Sequence, residues 1–313
     1  MSTPASITAP NPDPNTTARS TGDLPYHRLS ASSTNQRTFL AALTALAAVQ
    51  LTILASQAAA HLLPPLPVLG PFTPMAWSII GVAAALPITL LAVRLIEQRP
   101  TGTLSSVAGR IRRRWLTICL LTAAPIVVTG TVTGLLLITL TDTEPRTTAS
   151  TPPQWAGLAP FLTTVTTMLV FVVAQAAAEE YISRGVLLQA VGRLLGTPWS
   201  AIAVQAAVFT ALHGTGTPWG TLALITIGST LGWITIRTGG LEAAIAIHLT
   251  VNLPPFLASA AFPHLADPTA NTADTTWQAA ATQATTVLIY AATIHGLAAT
   301  RPIAALLTPR KPR

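Results

Sequence analysis

Two adjacent carboxylates, Glu179 and Glu180, close the run from Leu162 to Ala178, which contains Thr and Gln but no charged residue. Ionisable groups at such a position are costly in a bilayer and by default mark function. On a continuing helix Glu180 and Arg184 stand four residues apart on one face and can pair, whereas Glu179 points about 100° away. The spacing gives Glu180 a structural role and leaves Glu179 free for chemistry. Two later segments supply polar groups that could meet it, Phe209 to His213 and His248 to Asn252.

The turns between these segments allow their levels to be compared. From Glu179 to the turn signal Gly196-Thr197-Pro198 is about 17 residues and from Pro198 to His213 about 15, so each leg of a hairpin is roughly 24 Å long. Such a hairpin brings Glu179 level with His213. His248 lies about 8 residues, or roughly 12 Å, beyond Thr238-Gly239-Gly240. The two hairpins therefore turn at different depths, and the helix bearing the glutamates should continue past Arg184 toward Leu195. His248 and Asn252 are one helical turn apart and face the same way. Pro254 and Pro255 should bend or end that helix and release carbonyls beside the site, and Gly214-Thr215-Gly216 should unwind the chain after His213. Broken backbone at membrane depth is tolerated where it lines a water-filled cavity, and hydrolysis inside a membrane needs such a cavity.

The elements that must position these groups are membrane spans. Half of the 313 residues are hydrophobic and 9% are charged, against about 25% charged in soluble domains. With spans of about 20 residues, the sequence predicts an all-α, polytopic transmembrane helix bundle of about eight spans, at 39–63, 74–96, 115–140, 158–184, 198–213, 219–236, 241–262 and 276–299. Placed with the N-terminal segment on the cytoplasmic side, every Lys and Arg except Arg146 falls on that side, as the positive-inside rule requires. This accounts for the net charge of +7 and excludes nucleic acid as a partner; the lipid bilayer is the partner instead. Both terminal segments are expected in the cytoplasm, and the Arg-, Ala- and Thr-rich composition suggests the plasma membrane of a bacterium.

Residues 1–37, rich in Ser, Thr, Pro and Asn, read as a disordered tail. Residues 38–300 form the bundle, with the chemistry-bearing core at 155–262, and 301–313 form a basic cytoplasmic tail. The first apolar stretch, about 25 residues from near Phe39, exceeds the roughly 7–15 of a signal-peptide core and reads as a retained span. Leu104, Val107, Ile111 and Trp115 fall at helical spacing among basic residues, a pattern for a helix lying on anionic lipid or a simple stop-transfer anchor. Asp142, Glu144, Asp267 and Asp274 read as solvated loop residues. Cys119, the only cysteine, reads as a small core residue. His27, His61, His264 and His295 are left out of the site.

In order, Glu179-Glu180-x-x-x-Arg184, Phe209-x-x-x-His213 and His248-x-x-x-Asn252 resemble the three motifs of the CPBP family of intramembrane proteases, which includes type II CAAX prenyl endopeptidases and bacterial bacteriocin-processing or self-immunity proteins. The resemblance covers about residues 155 to 262. It implies that Glu179 is the general base, that His213 helps position and activate the attacking water, and that His248 and Asn252 hold the scissile carbonyl and its developing oxyanion. Glu180 and Arg184, with Phe209, would support them. The implied substrate is a membrane-associated protein or peptide, cut near the cytoplasmic face, and it need not be prenylated. The resemblance admits a metal-independent glutamate mechanism and a zinc site of Glu179, His213 and His248 plus water, an acceptable N/O ligand set. Two other readings keep the same residues: a non-enzymatic immunity or partner-binding membrane protein, and a small transporter using Glu179, His213 and His248 as a proton relay.

Overall fold

Threonine and proline start many of the helices. A computed structural model describes residues 24–141, 154–214, 216–266 and 272–307. Thr34, Thr197, Thr217 and Thr276 each accept a hydrogen bond from a backbone N–H in the first turn of the helix that follows, satisfying a donor with no partner inside the helix. After Thr197 and Thr217 the next residue is proline, whose missing N–H costs nothing at that position. The principal helices are α1 (Asn35–Leu62), α2 (Gly70–Glu97), α3 (Arg113–Thr141), α4 (Leu158–Leu195), α5 (Pro198–Leu212), α6 (Pro218–Thr238), α7 (Glu242–Ala261) and α8 (Trp277–Ala298), followed by the short α9 (Arg301–Leu307). No strand occurs among the described residues; a lone antiparallel bridge pairs Ser106 with Gly240.

Six of these helices, α1, α2, α3, α4, α6 and α7, are long and apolar enough to cross a membrane, which marks the chain as an integral membrane protein. The expectation of eight spans is corrected on two counts. α5 has 15 residues, short of the roughly 20 that a crossing requires. α8 has 22 residues, but Gln278, Gln283 and several threonines dilute its apolar character. α4, at 38 residues, runs well beyond Arg184, as the hairpin levels require.

The helices pack in a closed circuit: α1 on α2, α2 on α4, α4 on α7, α7 on α3, α3 on α8, α8 on α6, α6 on α5, and α5 on the last turns of α4. The largest apolar cluster joins α3, α6, α7 and α8 around Trp115, Cys119, Leu231, Ile247 and Tyr290. The Tyr290 hydroxyl donates to the Ala243 carbonyl at 3.0 Å, so the buried phenol is satisfied. α7 carries Pro254 and Pro255 in its interior and continues to Ala261; the prolines do not end the helix.

Part of the expected tail is packed. Tyr26–Ser32 form a 3-10 helix with Tyr26, His27, Leu29 and Ser30 buried. It lies against the last turns of α4, where the Ser30 hydroxyl donates to the Gln189 carbonyl at 3.0 Å and Arg193 donates to the Ser30 carbonyl at 3.3 Å. Residues 1–23 lie outside the described residues. The segment whose pattern fits a helix on lipid or a stop-transfer anchor folds inward: its only helix before α3 is the single turn Gly102–Ser105, and Leu104 and Trp115 are fully buried. Their apolar side chains are taken up by the protein core rather than by the bilayer.

Candidate functional site

α4 carries Gln175, Glu179, Glu180 and Arg184, and immediately after the glutamates it widens into a π-helix over Tyr181–Leu187. Such widened turns often occur at functional sites. Glu180 and Arg184 pair at 2.9 Å, and both side chains are 0% exposed. The Phe209 ring of α5 covers the guanidinium, with the Arg184 Cζ 4.3 Å from the ring centroid, a cation–π contact. Phe209 also packs against His213, ring centroids 4.4 Å apart. The aromatic side chain thus links the buried ion pair to the histidine.

Glu179 points the other way. Its side chain is 17% exposed and its Oε1 accepts from Gln175 Nε2 at 2.8 Å. Its Oε2 lies 3.9 Å from His213 Nε2 and 3.6 Å from His248 Nε2. The hairpin of α4 and α5, turned by Gly196 at φ +75°, therefore brings Glu179 and His213 to one level. A left-handed residue is needed at that turn, and glycine adopts it without a side-chain clash.

Each imidazole is anchored through its other nitrogen. His213, at the C-terminal cap of α5, donates Nδ1–H to the Phe209 carbonyl at 2.8 Å. His248 of α7 donates Nδ1–H to Glu180 Oε1 at 2.6 Å. Both Nε2 atoms are thereby presented to Glu179. One turn along α7, Asn252 Nδ2 donates to Gln175 Oε1 at 3.3 Å. Gln175 was not singled out from the sequence; it bridges the glutamate to the asparagine, and its position one turn before Glu179 is the signal that could have found it.

The structure brings together Glu179, His213, His248 and Asn252, with Glu180, Arg184 and Phe209 directly behind them. Two cavities meet at Glu179. The larger, of about 800 Å³, is bounded by α1, α2, α4 and α5 and includes Ser56, Gln57 and Ser78; the smaller, of about 100 Å³, is lined by Gln175, His248 and Asn252 among others. Both are also lined by His213 and Phe209. His61, excluded on sequence grounds, lies in the wall of the larger cavity. His295 instead packs on Trp233, and Asp142, Glu144 and Asp267 lie outside the described residues. Zinc-binding histidines use the same anchoring of the second ring nitrogen, but among the described residues no group of three or more His, Cys, Asp or Glu side chains is arranged to hold a metal ion. Glu179, His213 and His248 thus do not form such a group here, although the two Nε2 atoms lie 3.9 and 3.6 Å from the same carboxylate oxygen.

Comparison with known proteins converges on the same stretch. Residues 161–254 match the family model for the Rce1-like type II CAAX prenyl endopeptidases, and they contain every residue of the three motifs. Over 99 residues the chain is 31% identical to the uncharacterized protein YyaK of Bacillus subtilis (strain 168); the shared stretch covers 30% of this chain and 33% of that protein. The chain thus spans about a third of the length of this curated relative. No solved structure matches the chain.

Proposed function

We propose that this integral membrane protein, whose residues 161–254 form an Rce1-like domain of a protease family, is an intramembrane endopeptidase that hydrolyses a peptide bond of a membrane-associated protein or peptide. The observation that carries the reading is the placement of the Glu179 carboxylate at the meeting of two cavities, flanked by two imidazoles whose Nε2 atoms lie 3.9 and 3.6 Å away. In the plasma membrane of a bacterium, the basic end of the bundle faces the cytoplasm and carries the N- and C-terminal segments.

The assigned roles follow from the hydrogen bonds. His213, with its proton held on Nδ1 by the Phe209 carbonyl, offers the Nε2 lone pair to a water hydrogen. Glu179 takes that water's other proton as its oxygen attacks the scissile carbonyl carbon. Glu180 accepts the Nδ1–H of His248, and the imidazolium form of that ring donates Nε2–H to the developing oxyanion. The Asn252 amide donates beside it. Collapse of the tetrahedral intermediate breaks the C–N bond, the leaving amine takes the proton from Glu179, and a new carboxyl terminus and a new amine remain. Glu180 and Arg184 support the site without touching the reacting atoms.

Hydrolysis by water leaves a mass signature. In proteoliposomes carrying membrane-anchored peptides of varied juxtamembrane sequence, in water enriched in oxygen-18, the wild-type protein is expected to generate new carboxyl termini bearing the heavy isotope. Glu179→Gln at equal incorporation should not. Labelled termini appearing equally with both proteins would remove Glu179 from the mechanism, and their absence from both would remove proteolysis.

A further inference from the structure

The larger cavity has a direction. Its lining on α1 begins at Val49 and Ile53, which pack with Ile182 about one turn on from Glu179, and ends at Ala60 and His61, in the last turn of that helix. On α2 it reaches back to Pro74, in the first turns after the α1–α2 connection. The twelve-residue step from Val49 to His61 corresponds to about 18 Å of helix. The cavity thus runs from Glu179 toward the bundle end that holds the α1–α2 connection.

The opposite end is the basic one, and it is sealed. Arg37 donates to Gln98 at 2.6 Å, Arg99 pairs with Glu97 at 2.6 Å, and Arg112 pairs with Glu242 at 2.6 Å while also donating to the Thr238 and Leu307 carbonyls. These contacts gather the first turn of α1, the α2–α3 and α6–α7 connections and α9 at one face. Between that face and Glu179 lie two apolar layers, one built on Val49, Ala85 and Ile182, the next on Ala42, Val93, Leu104 and Val186. Leu104 is held as a plug: Tyr26 donates to its carbonyl, Gln189 donates to the Thr103 carbonyl at 3.0 Å, and the Leu241 N–H donates to the Ser105 carbonyl at 2.9 Å. At the other end the described residues of the connections contain no Lys or Arg. α5, stopping at Leu212, provides only a short wall there.

We propose that the scissile segment reaches Glu179 from the face opposite the basic one, lying extended between α1, α2 and the end of α5. This inference rests on the protease reading and narrows its substrate class to a membrane-anchored polypeptide cut on the extracytoplasmic side of its anchor, rather than a cytosolic tail cut near the cytoplasmic face. An 18 Å track holds roughly five residues of extended chain. Ser56, Gln57, His61 and Ser78 along its walls supply side-chain partners for a backbone that has left water.

Thiol labelling tests the direction without reference to catalysis. Gln57→Cys, Ser78→Cys and, as the marker of the basic face, Arg110→Cys are each introduced into the Glu179→Gln chain and into the active one, with the buried Cys119 left in place. A membrane-impermeant maleimide is expected to label Gln57→Cys and Ser78→Cys in intact spheroplasts and Arg110→Cys only in inverted vesicles. In the active chain, labelled Ser78→Cys should lose cleavage of an anchored reporter. Labelling of both cavity positions only in inverted vesicles, labelling of neither from either side, or labelling of Arg110→Cys in spheroplasts would overturn the proposal. The expected labelling pattern without any cleavage would leave the access route standing and remove the protease reading alone.

Discussion

At the residue scale the two glutamates differ by one position and by environment. Glu179 faces cavities and Glu180 is enclosed between Arg184 and His248, so their substitutions should separate chemistry from stability. Glu179→Gln should lower hydrolysis by on the order of 10²–10⁴-fold while leaving the unfolding midpoint of the detergent-solubilised protein unchanged. Arg184→Leu strands a buried carboxylate and should cost about 3–5 kcal/mol of stability, read as a lowered midpoint in the same unfolding assay. Equal loss of stability in both variants would contradict the division of roles. Much of this was legible in the sequence, because the i, i+4 spacings of Glu180 with Arg184, Phe209 with His213 and His248 with Asn252 survive directly as contacts or shared faces. Gln175 and His61 were not, since their parts depend on which neighbouring helix wall stands opposite them.

At the element scale the hairpin of α4 and α5 was legible for a mechanical reason: Gly196-Thr197-Pro198 fixes the turn, and helical rise then fixes the level of His213. The docked segment Tyr26–Ser32 was not, because its polar composition resembles that of a loose tail while its partners, Leu104, Gln189 and Arg193, lie far along the chain. Close approach depends on Gly192, where a Cβ would run into the His27 carbonyl oxygen. Gly192→Leu should therefore undock the segment and speed proteolysis at the exposed Arg28, with little change in the unfolding midpoint of the bundle. Burial, with Arg28 adding to it, holds the His27 imidazole below its ordinary value of 6.5. The docked state therefore binds fewer protons than the free one, and docking should weaken as pH falls below that value. The ratio of wild-type to His27→Leu proteolysis at each pH reads this directly; it should rise on acidification, and a flat ratio would contradict the assignment.

For the whole molecule, the charge pattern identified the basic face before any packing was known, because the positive-inside asymmetry is carried by the connections. The number of spans was less legible, since a 15-residue helix and a glutamine-bearing one still read as apolar against a 20-residue window. The sealing of one end could not be read, because Leu104 in the one-turn helix Gly102–Ser105 belongs to an apolar pattern that fits a lipid-facing helix or a stop-transfer anchor equally well, and its true partners, Tyr26 and Val186, lie far away in the chain. The central claim, that Glu179 activates water to cut a polypeptide at membrane depth, is tested most directly by comparing the new protein and peptide termini of native membranes containing wild-type or Glu179→Gln protein at equal abundance. The account predicts termini present only with the wild type, belonging to membrane-anchored polypeptides. Identical termini from both membranes, in cells expressing the wild type's partners, would contradict it.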